Sequence, residues 1–334
     1  MSDAPAVDTR IPVTILTGFL GAGKTTLLRD ALARAELADT AVIINELGEV
    51  AIDHLIVRSV NDRVAVLGAG CVCCALLDEL STTLLDLLER AARGEVPTPR
   101  RVIVETTGMA DPGPLVTTLS DDPRINERFR FDGVLTVIDA ERGASQLARH
   151  PEARRQLIAA DHLVLNKTDR VDEAVIAALE DSARALNPLA TRDRAVHGVV
   201  PPARWRGALR RPLRHADLAS LTLSRPAARH SEDVRTFAIE LDGPVRWTSF
   251  SLWLSLLTQM NGEGLLRFKA LVHVKGEALP VVVHAVGHTV YPAEMLAQWP
   301  DEGRQTRMVF IAQGWTDAFF AQVRDAAKAL VTDA

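Results

Sequence analysis

Three cysteines, Cys71, Cys73 and Cys74, are the only thiols in the chain, and they stand within four consecutive positions. Thiolates bind Zn²⁺, Cu⁺ and, with less selectivity, Co²⁺, whereas hard cations such as Mg²⁺ prefer oxygen. Because the adjacent Cys73 and Cys74 side chains diverge, the three sulfurs do not readily complete a tetrahedron. Glu46 and His54 are the candidates for a further ligand. Inert cysteines and a thiol–disulfide centre are the alternatives. An incomplete metal shell is the preferred interpretation, because a closed four-cysteine site would hold its metal permanently as part of the structure and could not pass it on.

The segment GFLGAGKT, residues 18–25, fits the phosphate-binding pattern GxxxxGK[ST]. It follows the apolar run PVTILT and precedes the amphipathic run TTLLRDAL, the strand-to-helix context that such a loop (P-loop) needs. Glycines let backbone N–H groups point at phosphate oxygens where a helix begins. Lys24 supplies a positive charge there, and Thr25 a hydroxyl for Mg²⁺. The predicted nucleotide-binding residues of this loop are Gly18, Gly21, Gly23, Lys24, Thr25 and Thr26.

The tetrad NKTD, residues 166–169, comes directly after the apolar run HLVL. A carboxylate at Asp169 can accept hydrogen bonds from N1–H and the 2-amino group of guanine, and adenine has neither donor at those positions. A site that reads hydrogen bonds in this way discriminates by roughly 10⁴ or more. Together with the P-loop, the tetrad predicts guanine recognition by Asn166, Lys167 and Asp169.

Two acidic segments accompany these motifs. Glu105 ends the apolar run RVIVE, where a carboxylate can hold Mg²⁺ through water, and the nearby Gly108 can present its N–H to a γ-phosphate. This segment is therefore expected to respond to hydrolysis. In the run NELGEVAIDH, Glu46 is preferred over Asp53 and Glu49 as a metal- or water-directing acid. No general base is obvious, which is normal for phosphoryl transfer. The predicted catalytic residues are Lys24, Thr25, Glu105 and Glu46.

The order of elements predicts two domains. From residue 11 to about residue 200, β-branched runs, the last of them AVHGVV, alternate with amphipathic helical segments. Runs apolar on both faces predict an α/β fold of the P-loop NTPase type, a mostly parallel sheet with helices on both faces. We expect this domain in residues 1–225, ending in a Pro/Arg-rich linker from about residue 201. A small α+β domain is expected in residues 226–334.

One helix of the second domain is predicted from the run WTSFSLWLSLLTQM. Its apolar residues recur at helical spacing, so they are expected to form one core-facing stripe. The residues of that stripe are Phe250, Trp253, Leu254, Leu257 and Met260.

Composition excludes several classes of protein. The 334 residues carry a formal net charge of −5, which argues against nucleic-acid binding, and the locally basic stretch 203–215 is expected to be a solvated loop. A secretory signal and an apolar run long enough to span a membrane are both missing from the sequence. We therefore expect a cytoplasmic protein, and a homodimer stays open.

Five motifs in this order resemble the CobW-like metal-trafficking GTPases, which are relatives of the nickel-insertion GTPases of urease and hydrogenase (the CobW/HypB/UreG group). The motifs are the P-loop, NELGEVAIDH, GAGCVCC, ETTGMADP and NKTD. The resemblance covers the first domain and extends loosely to GLLRFKA, the His288 segment and MVFIAQG. A histidine-rich run common in such relatives is replaced by scattered His197, His215 and His230, so a high-capacity metal store is not expected.

The resemblance implies a role for each motif. Lys24 and Thr25 would bind phosphate and Mg²⁺, Glu105 would lie near the Mg²⁺, and the NKTD tetrad would read guanine. The three cysteines would belong to a metal site that responds to the nucleotide. The predicted function is a GTP-hydrolysing metallochaperone that uses GTP/GDP and Mg²⁺ and delivers Zn²⁺, or Co²⁺, to a client metalloprotein. A P-loop kinase or transferase, and a GTP-binding scaffold, are the alternatives.

Overall fold

The computed structural model describes residues 8–34, 37, 39–45, 64–67, 74–200, 205, 212–218 and 234–331. These residues fall into two compact units. The first lies within Val7–Arg184 and Ala190–Arg210, and the second within Ala185–Leu189 and Arg211–Ala334. The predicted boundary at residues 225 and 226 lies outside the described residues and stays a prediction.

Seven described strands, all parallel, form the sheet of the first unit in the order β3-β2-β4-β1-β5-β6-β7. Their bounds are β1 Ile11–Thr17, β2 Thr40–Asn45, β3 Val64–Leu67, β4 Arg101–Glu105, β5 Phe129–Asp139, β6 His162–Asn166 and β7 Thr191–Arg194. The central strands are apolar on both faces, as a sheet covered by helices requires, and every residue of β6 is buried. The predicted α/β fold is confirmed.

Seven α-helices of the described residues belong to this part of the chain. They are α1 Lys24–Leu32, α2 Cys74–Ala92, α3 Gly113–Asp121, α4 Pro123–Asn126, α5 Gly143–Arg149, α6 Pro151–Ala159 and α7 Glu173–Leu186. Helix α1 follows the P-loop and buries Leu27, Leu28 and Ala31 at helical spacing. These side chains share a core cluster with apolar residues of five strands that include β1 and β5, so the start of α1 is fixed against the sheet.

Two predictions about the end of this unit are wrong. The run AVHGVV is a turn closed by a bridge between Val196 and Val199, and the last strand is the polar segment Thr191–Arg194. The basic stretch 203–215 is not wholly solvated, because Trp205 and Leu213 are 2% and 4% exposed. Trp205 packs in the cluster that holds α1.

The second unit is an antiparallel sheet with two described α-helices of eight residues or more. The strand order is β11-β10-β9-β13-β8, with β12 paired to β10. The bounds are β8 Val234–Leu241, α8 Trp247–Asn261, β9 Leu265–Val272, β10 Val281–Val286, β11 Thr289–Val290, β12 Glu294–Met295, β13 Thr306–Gln313 and α9 Asp317–Lys328. The predicted α+β architecture is confirmed.

Helix α8 buries Phe250, Leu254 and Leu257, as predicted, and Trp253 packs partly buried against the same core. Met260 is 78% exposed, so its predicted place in the core is wrong. The buried stripe reaches Thr258 instead, four residues after Leu254.

Candidate functional site

The predicted site residues collect at one edge of the parallel sheet. Parallel strands bring their carboxyl ends to the same edge, and open α/β sheets bind ligands there. The P-loop follows β1, the ETTG segment (residues 105–108) begins at the end of β4, and the NKTD tetrad begins at the end of β6. Because β4, β1, β5 and β6 are neighbours in the sheet, these three motifs lie side by side.

The P-loop takes the backbone conformation that its glycines permit. Gly18, Gly21 and Gly23 have φ angles of 145°, 75° and 98°, which residues other than glycine rarely adopt. A Cβ on Gly18 would lie 2.3 Å from the carbonyl oxygen of Val137, and a Cβ on Gly23 would lie 2.3 Å from Nδ2 of Asn166. The loop thus passes closely over the ends of β5 and β6.

Lys24 lies at the first position of α1 and is 9% exposed. Its Nζ donates a hydrogen bond of 2.8 Å to the carbonyl oxygen of Gly18, so the ammonium group is held inside the curve of the P-loop. A cation there, at the N-terminus of a helix, attracts phosphate oxygens. The position agrees with the predicted phosphate-binding role.

Thr25 and Glu105 join the start of α1 to the end of β4. The Thr25 hydroxyl donates a 2.7 Å hydrogen bond to Oε1 of Glu105, whose side chain is 4% exposed. Both groups are hard oxygen donors, which is the donor chemistry that Mg²⁺ selects. The residues therefore fit a Mg²⁺ ion held by Thr25, with Glu105 close to it.

The ETTG segment lies directly against the P-loop. The Thr106 hydroxyl donates to Oγ1 of Thr17 over 2.8 Å, and its backbone N–H donates to Leu16. At Gly108, an added Cβ would lie 2.7 Å from the backbone nitrogen of Leu20. Glycine is required there because the two backbones touch.

Asn166 connects three parts of the site. Its Nδ2 donates to the carbonyl oxygen of Ala22 over 3.0 Å, and its Oδ1 accepts a 3.2 Å hydrogen bond from the N–H of Gly198. The side chain is 2% exposed. In this structure its amide therefore braces the P-loop against the turn at residues 195–199, and its contact with guanine stays a prediction.

Lys167 has a left-handed backbone, with φ of 62°, and reaches back over the P-loop. Its Nζ lies 2.7 Å from the carbonyl oxygen of Gly21 and 2.6 Å from Oδ2 of the buried Asp139. Asp169 is exposed in the 3₁₀ turn Thr168–Arg170. Its carboxylate is thus accessible to a base, as the predicted reading of guanine requires.

Most of the candidate metal ligands lie outside the described residues. Glu46, His54, Cys71 and Cys73 lie outside the described residues, and of Cys74 only the backbone, which begins α2, is described. Within the described ranges, no group of three or more His, Cys, Asp or Glu side chains is placed to hold a metal ion. The cysteine site and its further ligand stay predictions.

Sequence reasoning missed two residues that contact the predicted motifs. Asp139 ends β5, and its Oδ1 also accepts from the backbone N–H groups of Glu141 and Arg142. It carries the signal used for Glu105, an acid at the end of an apolar strand. Gln156 on α6 donates hydrogen bonds to the backbone carbonyl oxygens of Gly108, in the ETTG segment, and of Ala110. The sequence around Gln156 contains no motif that marks it.

Among the described residues, every helix is too short or too polar to cross a membrane.

Two family models match the chain, one for each unit. The model of the CobW/HypB/UreG nucleotide-binding domain matches residues 12–192. The model of the cobalamin synthesis protein CobW C-terminal domain matches residues 234–327. The family resemblance predicted from the five motifs is confirmed.

Individual relatives match over nearly the full chain. The zinc chaperone YjiA of Escherichia coli is 33% identical over 301 residues, which cover 90% of this chain and 93% of that protein. The zinc chaperone CobW of a Sinorhizobium species is 30% identical over 367 aligned positions, which cover 99% of this chain and 100% of that protein. The crystal structure of Zn(II)-bound YjiA GTPase from E. coli, 28% identical, superposes with a TM-score of 0.68 over 97% of this chain and 99% of that chain. On these matches and on its P-loop geometry, the chain belongs to the CobW/HypB/UreG family of P-loop GTPases.

Proposed function

We propose that this protein is a GTP-hydrolysing metallochaperone that binds Zn²⁺ at Cys71, Cys73 and Cys74 and delivers it to a client metalloprotein. Co²⁺ is the second candidate metal. The proposal is supported by relatives named zinc chaperones and by a structural neighbour that was crystallised with Zn(II). Thiolate chemistry favours the same metals.

The order of strands is the observation that carries the proposal. Strand β3 leads into the cysteine segment and β1 leads into the P-loop, and both end at the same edge of the sheet. Strand β4, which ends at Glu105, lies next to β1, and β2 lies between β4 and β3. The strand that carries the ETTG segment is thus interposed between the nucleotide loop and the strand that precedes the cysteines.

Hydrolysis in this site depends on positioning and charge. Lys24 holds a positive charge within the P-loop, where it compensates negative charge on the transferred phosphoryl group. Thr25 and Glu105 fix the oxygen donors for Mg²⁺, which when bound neutralises phosphate charge. Gly108 places its backbone beside the P-loop at Leu20, so a γ-phosphate that bonds its N–H would contact this segment, and hydrolysis would remove that contact.

Metal transfer requires that zinc bind with different affinity in the two nucleotide states, because a ligand with equal affinity for both states shifts nothing. The test is competition for Zn²⁺ with a chromophoric chelator, with protein loaded with Mg²⁺ and either GDP or a non-hydrolysable GTP analogue. We expect the two zinc dissociation constants to differ about tenfold or more, which is about 1.4 kcal/mol of coupling. Equal constants would rule out the proposed switch.

The two alternative functions, a kinase or transferase and a GTP-binding scaffold, predict different nucleotide turnover. A kinase or transferase would turn over nucleotide only when a small acceptor is supplied. A scaffold would bind GTP without hydrolysis even with zinc and client present. Transfer itself is tested by mixing zinc-loaded protein with an apo-metalloprotein and measuring whether GTP accelerates its activation.

A further inference from the structure

Gln156 is a buried polar residue that contacts the backbone at the end of the ETTG segment. It lies on α6 and is 1% exposed. Its Nε2 donates to two backbone carbonyl oxygens, at 3.2 Å to Gly108 and 2.9 Å to Ala110. Because both partners are acceptors, the amide NH₂ must face them and the orientation of the side chain is fixed.

The helix that carries Gln156 is itself anchored on two sides. The Thr136 hydroxyl of β5 donates a 2.8 Å hydrogen bond to the carbonyl oxygen of Gln156. At the other end of α6, the ring of its N-cap residue His150 stacks on Phe19 of the P-loop, with ring centroids 4.6 Å apart. The helix and its N-cap residue thus contact both the P-loop and residues 108–110.

The two carbonyl bonds determine how the peptide planes of this segment are turned. In a planar trans peptide the C=O and the following N–H point in opposite directions. Binding of the Gly108 carbonyl to Gln156 therefore turns the N–H of Met109 away from α6. The N–H of Gly108, the predicted γ-phosphate donor, lies in the preceding peptide plane and shares the Cα atom that this hydrogen bond helps to hold in place. The backbone of Gly108 is at the same time confined by Leu20, so contacts with both Gln156 and Leu20 hold the segment without a bound phosphate.

We infer that Gln156 is a positioning residue for GTP hydrolysis: it holds the backbone of residues 108–110 in the orientation that receives the γ-phosphate. The inference deepens the proposed function and rests on it. GDP has no γ-phosphate to meet this segment, so loss of Gln156 acts on the GTP state and spares the GDP state. A residue needed only for packing would weaken both states together.

The experiment compares Gln156→Met, which keeps the size and removes the donor, with the control Thr258→Val, which removes a buried hydroxyl of the second unit. Dissociation constants for GDP and for a non-hydrolysable GTP analogue are measured with Mg²⁺ and without zinc, together with kcat and KM for GTP. We expect Gln156→Met to lower kcat and to reduce affinity for the GTP analogue relative to GDP, each by about tenfold. Thr258→Val should leave the ratio of the two affinities as in the wild type.

The inference would be overturned if Gln156→Met lost affinity for GDP and for the GTP analogue to the same extent. It would also be overturned if both kcat and the ratio of the two affinities stayed as in the wild type. A second variant, Gln156→Glu, gives an independent readout if the first folds poorly. Facing two carbonyls in a buried position, the new carboxyl would have a raised pKa, and only its protonated form can donate. We expect its kcat to rise relative to the wild type as the pH falls, and a constant ratio of the two kcat values across pH would contradict the inference.

The zinc-free design separates this inference from the proposed function. If the wild type shows equal zinc affinity in the two nucleotide states, metal coupling fails while the nucleotide measurements still decide the role of Gln156. If coupling is present and the Gln156 variants behave like the wild type, the inference alone fails.

Discussion

Nζ of Lys167 lies 2.6 Å from Oδ2 of Asp139, and this ion pair joins the end of β5 to the turn that follows β6. The ammonium group also donates to the carbonyl oxygen of Gly21. The P-loop is therefore fixed by an ion pair whose members stand 28 residues apart in the chain.

The Asp139→Asn variant tests this arrangement. An asparagine can keep the short hydrogen bonds to the backbone of Glu141 and Arg142 but loses the charge that holds Lys167. Since the pair is largely shielded from solvent, with side chains 23% and 1% exposed, we expect GDP affinity to fall by about tenfold, or about 1.4 kcal/mol. The measurement is titration with a fluorescent GDP analogue. Asp172→Asn, a change outside the predicted motifs, is the control, and equal affinity in both variants would contradict the prediction.

Two glycines of the P-loop should respond differently to alanine. Both Gly21 and Gly23 have positive φ angles, so each substitution costs about 1 kcal/mol of backbone strain. Nothing lies within 4 Å of a Cβ at Gly21, whereas a Cβ at Gly23 would lie 2.3 Å from Nδ2 of Asn166. We expect Gly23→Ala to lose at least about tenfold more GDP affinity than Gly21→Ala. Similar losses in the two variants would show that backbone strain, and not the clash with Asn166, determines the loss of GDP affinity.

Asp169 should determine which base is accepted. Its exposed carboxylate can accept from N1–H and the 2-amino group of guanine, and in xanthine the 2-amino group is replaced by a carbonyl oxygen. Asp169→Asn supplies a donor for that oxygen. We expect the variant to lose roughly 10²-fold in affinity for GDP and to gain affinity for xanthosine diphosphate. Competition titrations measure both, and unchanged preference for GDP would place base recognition elsewhere.

The cysteine site should be separable from nucleotide binding. Cys73→Ala is expected to weaken Zn²⁺ and Co²⁺ binding by roughly 10²-fold, because it removes one thiolate from a small ligand set. Its GDP affinity should stay within about twofold of the wild type, whereas Lys24→Ala should show the reverse pattern. Loss of both activities in Cys73→Ala would instead indicate a structural role for the thiol.

A buried ion pair should govern the acid stability of the second unit. The Arg307 side chain is 0% exposed, and its two terminal nitrogens lie 2.7 Å from the carboxylate oxygens of Asp301. Burial raises the pKa of Asp301, but hydrogen bonds from Arg307 and from the His215 backbone outweigh it, so the pKa lies below its ordinary value of 3.8. The charged form therefore stabilises the fold above about pH 3.8, and this contribution is lost as the pH falls through the lower folded-state pKa.

We expect Asp301→Asn to lower the free energy of unfolding by about 2 kcal/mol at neutral pH. The difference from the wild type should shrink as the pH drops below about 3.8. Urea unfolding followed by tryptophan fluorescence at several pH values measures it, with exposed Asp242→Asn as the control. A difference that does not change with pH would show that the ionised carboxylate is not what matters.

The motifs were predictable because their chemistry demands particular residues at particular positions. A phosphate loop needs its glycines and Lys24 regardless of what surrounds them, and the structure shows each in the expected conformation. The role of Gln156 depends on which backbone lies opposite α6, so the sequence carries no signal for it. The pattern of apolar residues also predicted the wrong position for the last strand, which lies at the edge of the sheet. Strand β7 is only partly buried, and backbone pairing rather than apolar side chains makes it a strand.

The position of β3 has a consequence for how the P-loop can influence the strand that precedes the cysteines. Three steps between neighbouring strands separate β3 from β1, and at roughly 4.8 Å a step the strand ends lie about 14 Å apart. Electrostatic effects between exposed charges fade over about 8 Å in physiological salt, so loss of a phosphate charge at the P-loop is felt only weakly at the end of β3. A signal that reaches the end of β3 must then be mechanical, carried by displacement of the backbone along this edge.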